Sequence, residues 1–99
     1  MKIFVAGGSG LVGSDLILLL SKNNNVVASY RNKKKIIKNK SVIWKKVNFN
    51  KKITLNIKPD IIINCIGTHK FSKKKNILDY VKSNIISVKN IVDFAKKKR

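Results

Sequence analysis

The sequence predicts an α/β domain, a parallel sheet covered by helices on both faces. Three observations carry this. Short apolar runs of strand length alternate with longer segments whose apolar residues recur at helical spacing. The first run, Lys2 to Ala6, ends in a glycine cluster, Gly7-Gly8-Ser9-Gly10-Leu11-Val12-Gly13, that leads into a helical pattern. A further apolar run, Ile61 to Ile66, is started by Pro59-Asp60 and stops at Gly67.

Lys2 to Ala6 reads as a buried strand because it is apolar, short and stopped by glycine. A helix follows over Leu11 to Lys22, with Val12, Leu16, Leu19 and Leu20 on its inward face, and Asn23-Asn24-Asn25 ends it. Val26 to Tyr30 is a second strand, opened by two β-branched residues. The charged stretch Arg31 to Lys40 is a short helix or a loop around Ile36-Ile37, and Ser41 to Val47 is a third, more exposed strand. Asn48 to Lys58 patterns weakly, with a helix expected around Ile53, Leu55 and Ile57. Pro59-Asp60 starts the fourth strand, Ile61 to Ile66, which stops at Gly67, and Thr68 to Lys75 is a polar loop. Asn76 then caps the longest helix. Leu78, Val81, Ile85, Val88, Val92 and Ala95 step along it by three or four as one apolar stripe, Asp79 stands close to a capping box, and Lys96-Lys97-Lys98-Arg99 suits the negative end of the helix dipole.

The chain of 99 residues reads as one small domain whose core has little margin, and its hydrophobic fraction of 43% argues against disorder. Its charge is unusual: 23 Lys+Arg against 4 Asp+Glu, a net +19, with no Glu at all. Such a field attracts phosphates of any kind. The basic residues are nearly all Lys, with Arg only at Arg31 and Arg99, so the supply for bidentate reading of guanine is short. The abundance of Lys, Asn and Ile is that expected of an AT-rich genome, and most of the charge reads as solvated surface. The missing Glu is not explained that way, since its codons are A-rich too. The single cysteine, Cys65, cannot form an internal disulfide, no signal peptide pattern is present, and the longest apolar run, Leu16 to Leu20, is too short to span a bilayer; the expectation is a cytoplasmic protein with no membrane partner.

A glycine-rich turn between a strand and a helix is an anion site. Glycine lets the backbone come close to a pyrophosphate, and the free N–H groups and positive end of the helix face it. Gly8-x-Gly10-x-x-Gly13 fits the general dinucleotide fingerprint, and Gly7-x-x-Gly10-x-x-Gly13 fits the spacing of short-chain dehydrogenases, both in the strand–turn–helix context the chemistry needs. The acid expected about twenty residues on, to bind the ribose 2′-hydroxyl, is absent: no Asp or Glu lies between Asp15 and Asp60. The second strand ends instead in Tyr30-Arg31-Asn32-Lys33-Lys34-Lys35, a cationic end suited to a 2′-phosphate. NADP is therefore expected ahead of NAD.

These blocks resemble the extended short-chain dehydrogenase/reductases, the NAD-dependent epimerase/dehydratase family acting on nucleotide-sugars. Four stretches match in order: KIFVAGGSGLVGS at 2–14, where Thr is usual at Ala6; Val47-Asn48-Phe49, where an Asp is usual at Asn48; Pro59-Asp-Ile-Ile-Ile-Asn-Cys-Ile-Gly67; and Asn84-Ile-Ile-Ser-Val-Lys-Asn-Ile91, where a Gly is usual at Ser87. The resemblance implies a Rossmann-like sheet of strand order 3-2-1-4, helices on both faces, incomplete at the strand-four edge. It implies a cofactor site made by Gly7, Gly8, Ser9, Gly10, Leu11, Val12 and Gly13 at the pyrophosphate, Arg31 and Asn32 at the adenosine end, Asn48 and Phe49 by the adenine, and Cys65, Ile66 and Gly67 along the cofactor.

The family's chemistry uses a Tyr-x-x-x-Lys pair and a Ser or Thr on a following strand and helix, which these 99 residues do not reach. No catalytic residue is assigned, and the chain alone is expected to bind a dinucleotide without turnover. The nucleotide-sugar would be held by a missing C-terminal part. Tyr30-x-x-x-Lys34 has the spelling but lies at the adenosine end; Tyr80 has Asn84 four residues on and reads as helix packing. His69 has no ligand partner at metal spacing, Cys65 reads as a small core residue, and Thr68 and His69 are placed where they could touch a ribose or substrate. The exposed parallel edge is an association hazard, either for self-association or for a partner carrying the second half. Two alternatives stand beside this reading. One is a stand-alone, non-catalytic NADP-binding or regulatory module. The other is a basic nucleic-acid-binding protein, which would bind non-specifically because Trp44 and Phe49 are isolated from the basic runs.

Overall fold

The structure is a computed structural model that describes residues 1–31, 41–66 and 77–98, without the side chains of Leu11, Tyr80 and Ser83. Four strands, β1 (Lys2–Ala6), β2 (Asn25–Tyr30), β3 (Val42–Lys46) and β4 (Ile61–Asn64), form one parallel sheet in the order β3-β2-β1-β4. Helix α1 (Leu11–Leu20) follows β1. After β4 comes one long helical run: α2 (Ile77–Val81), a π-helical turn (Lys82–Ile86) and α3 (Ser87–Lys97). This is the Rossmann-like order the resemblance implies.

Side chains on a strand alternate between faces, so β1 feeds two cores. Ile3 and Val5 join Val26, Ala28, Val42 and Ile17 of α1 on one face. Phe4 and Ala6 join Val27, Ile53, Ile91 and Phe94 on the other. The ring of Phe4 meets Phe94 edge-on at 6.0 Å and Phe49 stacked at 6.4 Å, fastening α3 and the stretch after β3 to the sheet. The two central strands are the buried ones. β3 and β4 are edges, with Ile43 and Ile61 exposed. Asp60 anchors the start of β4: the Lys2 N–H donates to its carboxylate at 2.8 Å, and its own N–H donates to the Lys2 carbonyl at 2.8 Å.

Three sequence expectations are corrected. First, Val12 (62% exposed) and Leu19 (64%) of α1 face solvent, while Ile17 is fully buried. The helix is turned by Gly13, whose missing side chain lets that face lie against the turn, so the inward line runs through Gly13, Ile17 and Leu20 rather than Val12 and Leu19. Second, residues 48–58 contain no helix. Ile53, Leu55 and Ile57 step by two, which places them on one side of an extended chain, and all three pack on the second core. Third, the long helix packs through Ser87, Ile91 and Phe94, whereas Leu78, Ile85, Val88 and Val92 of the expected stripe stay exposed. Small Ser87 and large Phe94 fit the sheet surface at a 4,3 step, and the π-helical turn separates this face from α2.

Helix α1 ends two residues short of its expected end, where the Asn24 side chain donates to the Leu20 carbonyl at 3.0 Å. Strand β4 stops at Asn64, although the Cys65 N–H still donates to the Ala6 carbonyl at 2.8 Å. The expectations for residues 32–40, the polar loop, Asn76 as a cap, Thr68, His69 and the Tyr80 side chain lie outside what is described. Among the described residues, no helix is long and apolar enough to cross a membrane, and no three metal-ligating side chains gather.

Candidate functional site

In a parallel sheet every strand ends on the same side. Here Ala6, Tyr30 and Asn64 mark that side for β1, β2 and β4. The chain leaves β1 for β2 on one flank and later returns to β4 on the other, so the crevice of the sheet opens above Ala6. The glycine turn sits there.

The four glycines of the turn have different reasons. Gly7 adopts φ +80°, a conformation that side chains rarely take. A Cβ on Gly8 would stand 2.6 Å from Ile17 Cδ1 and 2.9 Å from Ala28 Cβ, and one on Gly13 would overlap the carbonyl oxygen of Gly7. These three are required by the protein's own packing. Gly10 is not: its φ is −75°, and among the described residues a Cβ there would meet only the Gly7 oxygen, at 3.4 Å, an ordinary contact. No other described residue fills the space over Gly10.

Gly10 is also the N-cap of α1, with no side-chain acceptor and no acid in the first turn. Helices are usually capped by Ser, Thr, Asp or Asn, which would use one of the terminal N–H groups. Here the Gly7 N–H donates to Ser29 Oγ (2.7 Å), the Gly8 N–H to the Ser29 carbonyl (2.9 Å) and the Gly10 N–H to the Gly7 carbonyl (3.2 Å). The N–H groups of Ser9, Leu11, Val12 and Gly13 have no partner among the described residues. The Ser14 hydroxyl donates to the Gly10 carbonyl at 2.6 Å, fixing the first helical turn. The result is a cluster of N–H donors without partners among the described residues at the positive end of a helix dipole, a place for an anion.

Around this cluster the other expected residues fall as follows. Arg31 is exposed just past β2, and Tyr30 packs edge-on against Trp44 with ring centres 6.4 Å apart. Asn48 Oδ1 accepts from the Asn50 N–H at 3.0 Å, so its side chain shapes its own turn. Phe49 has its ring in the second core, and its carbonyl accepts from Asn90 Nδ2 at 2.7 Å. Cys65 and Ile66 lie against Gly7: the Cys65 carbonyl oxygen and Ile66 Cγ1 would be 3.1 and 3.0 Å from a Cβ there. Partial burial pushes the Cys65 thiol above its ordinary value. Asn32 and Gly67 lie outside the described residues. Ser29 and Asn90, which tie the turn and the stretch after β3 in place, are absent from the sequence-derived site; the signal for Ser29 was a lone hydroxyl in the otherwise apolar Val26-Val27-Ala28-Ser29. An open, polar depression of about 510 Å³, lined by Met1, Ser21, Asn25 and Ser41 among others, lies at the opposite end of the sheet.

The sheet order and the glycine turn define a Rossmann-like nucleotide-fold module. The chain belongs to the NAD dependent epimerase/dehydratase family, whose model matches residues 3–99. Solved structures agree on the fold. L-threonine dehydrogenase from Clostridium difficile superposes with a TM-score of 0.79 at 24% identity, over 98% of this chain and 33% of that one. The Bordetella bronchiseptica enzyme WbmH, in complex with NAD+, gives 0.75 at 18%, over 98% and 35%. A mutant UDP-glucuronic acid 4-epimerase from Bacillus cereus, in complex with UDP-4-deoxy-4-fluoro-glucuronic acid and NAD, gives 0.70 at 20%, over 97% and 36%. The chain thus spans about a third of the length of each. No curated protein sequence matches it significantly.

Proposed function

We propose that these 99 residues bind an NAD-type dinucleotide across the carboxyl ends of the strands, as the cofactor-holding part of a nucleotide-sugar epimerase, dehydratase or reductase. The observation that carries this is Gly10, the one glycine of the turn for which packing among the described residues gives no reason. A glycine with free space above it and unpartnered N–H groups around it is explained by a ligand that needs the backbone to come close. Structures of WbmH and of the Bacillus cereus epimerase, which share the fold, contain NAD.

In this reading the N–H groups of Ser9, Leu11, Val12 and Gly13 hold the pyrophosphate. Gly7, Gly8 and Gly13 give the turn its shape, and the main chain at Cys65, Ile66 and Gly67 borders the cofactor's course past β4. Asn48 and Phe49 border the adenine. Arg31, with Asn32, meets the adenosine ribose, and with no acid at Tyr30 the site favours NADP over NAD. The bound dinucleotide supplies hydride exchange; the residues of this chain bind and orient it, and none of them is assigned a proton-transfer role. Sugar binding and the Tyr-x-x-x-Lys chemistry belong to further sequence or to a partner paired at the β4 edge.

Titration of the full chain with NADH, followed by nicotinamide fluorescence and by ADP competition, tests this. Saturable binding displaced by ADP is expected, together with no hydride transfer to UDP-sugars. Absence of saturable binding of either ligand at millimolar concentration would refute the reading.

A further inference from the structure

Resting on the dinucleotide reading above, we infer that Ser29 is a positioning residue that sets the glycine turn for the pyrophosphate. Ser29 is the last fully buried residue of β2, 1% exposed, and a hydroxyl in that place needs a partner. It takes two hydrogen bonds from consecutive residues of the turn: the Gly7 N–H donates to its Oγ at 2.7 Å, and the Gly8 N–H to its carbonyl at 2.9 Å.

The position in the ladder explains why both are needed. The pairing of β1 with β2 runs through Val5 and Ala28. Beyond it, β1 parts from β2, stays paired to β4 through Ala6 and Asn64, and turns through Gly7 at φ +80°. The main-chain carbonyl of Ser29 takes the Gly8 N–H, not that of Gly7. The side chain holds the other, and so ties the turn at its bend. The two bonds also divide the N–H groups of the turn: those of Gly7 and Gly8 point into the protein, and those of Ser9, Leu11, Val12 and Gly13 are left for the ligand.

Ser29 directly precedes Tyr30 and Arg31, so one residue links the pyrophosphate end of the site to its adenosine end. Alanine would keep the carbonyl bond to Gly8 and remove only the side-chain bond. The half-buried Gly7 N–H would lose its acceptor, and the turn would lose its fixed geometry over the phosphates.

The test compares wild type, Ser29→Ala and Ser29→Thr, which keeps the Oγ. Affinities for NADH, ADP and adenosine are read by fluorescence competition. Ser29→Ala is expected to weaken NADH and ADP alike by about tenfold, leave adenosine within about twofold, and be restored towards wild type by Thr. Amide exchange of wild-type Gly7 supplies a readout that needs no variant: the clamp predicts protection. Ser29→Ala binding NADH and ADP as wild type does would overturn this proposal and leave the dinucleotide reading standing. Adenosine falling in parallel with ADP, or a Gly7 amide exchanging at the unprotected rate, would also overturn it. A wild-type chain that binds neither NADH nor ADP would overturn both.

Discussion

A methyl group on Gly13 would overlap the carbonyl oxygen of Gly7, so helix α1 rests directly on the turn that precedes it. Three residues earlier, a methyl group on Gly10 would meet that same oxygen at an ordinary 3.4 Å. Gly13 is required by the fold, Gly10 is assigned to the ligand in the proposed reading, and alanine substitution separates the two. Gly13→Ala meets backbone that cannot move aside, and should cost at least about 2 kcal/mol in urea unfolding. Gly10→Ala should stay within about 1 kcal/mol of wild type yet weaken NADH binding at least tenfold. A large loss of stability from Gly10→Ala would mean that its place in the turn is structural after all.

The long C-terminal helix offers a second contrast. Phe94 is 3% exposed and packs against Phe4, whereas Val92, two residues away, is 45% exposed. Phe94→Ala should destabilise by about 3–5 kcal/mol, a large part of the stability of a domain of 99 residues. Val92→Ala should change stability by less than about 1 kcal/mol. Circular dichroism of the two variants decides which face holds the sheet; equal losses would restore the stripe read from the sequence.

The misreadings of the two helices share one physical cause. Strand positions and their order were legible because apolar runs stopped by glycine, asparagine and proline are local signals, and the glycine turn was legible for the same reason. Which side of an element faces inward is not local. In α1 the run Leu16 to Leu20 is apolar without a break, so periodicity did not choose a face; the contact of Gly13 with Gly7 did. In the long helix two apolar lines coexist, and the one with better spacing is the one left exposed. At Ile53, Leu55 and Ile57 the step of two was present in the sequence and was misread as a turn of helix. Ser29 showed only as a lone hydroxyl in an apolar strand, because the Gly7 N–H that it accepts lies 22 positions away.

Cys65 gives a prediction in pH. Partial burial favours the neutral thiol and raises its value in the folded state. The unfolded chain therefore ionises first, and the contribution is complete below the ordinary thiol value of about 8.5 and declines as pH rises past it. Stability measured by urea unfolding should fall more steeply between pH 8 and 9.5 in wild type than in Cys65→Ala. Alkylation by iodoacetamide should lag behind that of a free cysteine over the same range and match it in denaturant. A thiol that reacts in the native chain as fast as free cysteine would show that its surroundings do not hold it neutral.

The proposed cofactor preference turns on two adjacent residues. In that reading Tyr30 takes the place of an acid for the ribose 2′-hydroxyl, and Arg31 follows it, exposed, with a lysine run behind. A cation there attracts a 2′-phosphate and gains nothing from a hydroxyl. The interaction is solvent-exposed and so modest, and salt screens it. Arg31→Ala should weaken NADPH by about fivefold while leaving NADH within about twofold, and the wild-type preference should shrink between 50 and 500 mM salt. Tyr30→Asp supplies the missing acceptor and a repelling charge together, and should reverse the order of the two cofactors. The NAD held by related structures argues the other way, so the competition is a real one. Equal affinity of wild type for NADH and NADPH at moderate salt would assign Arg31 to the solvated surface and leave the turn at Gly10 as the whole of the recognition.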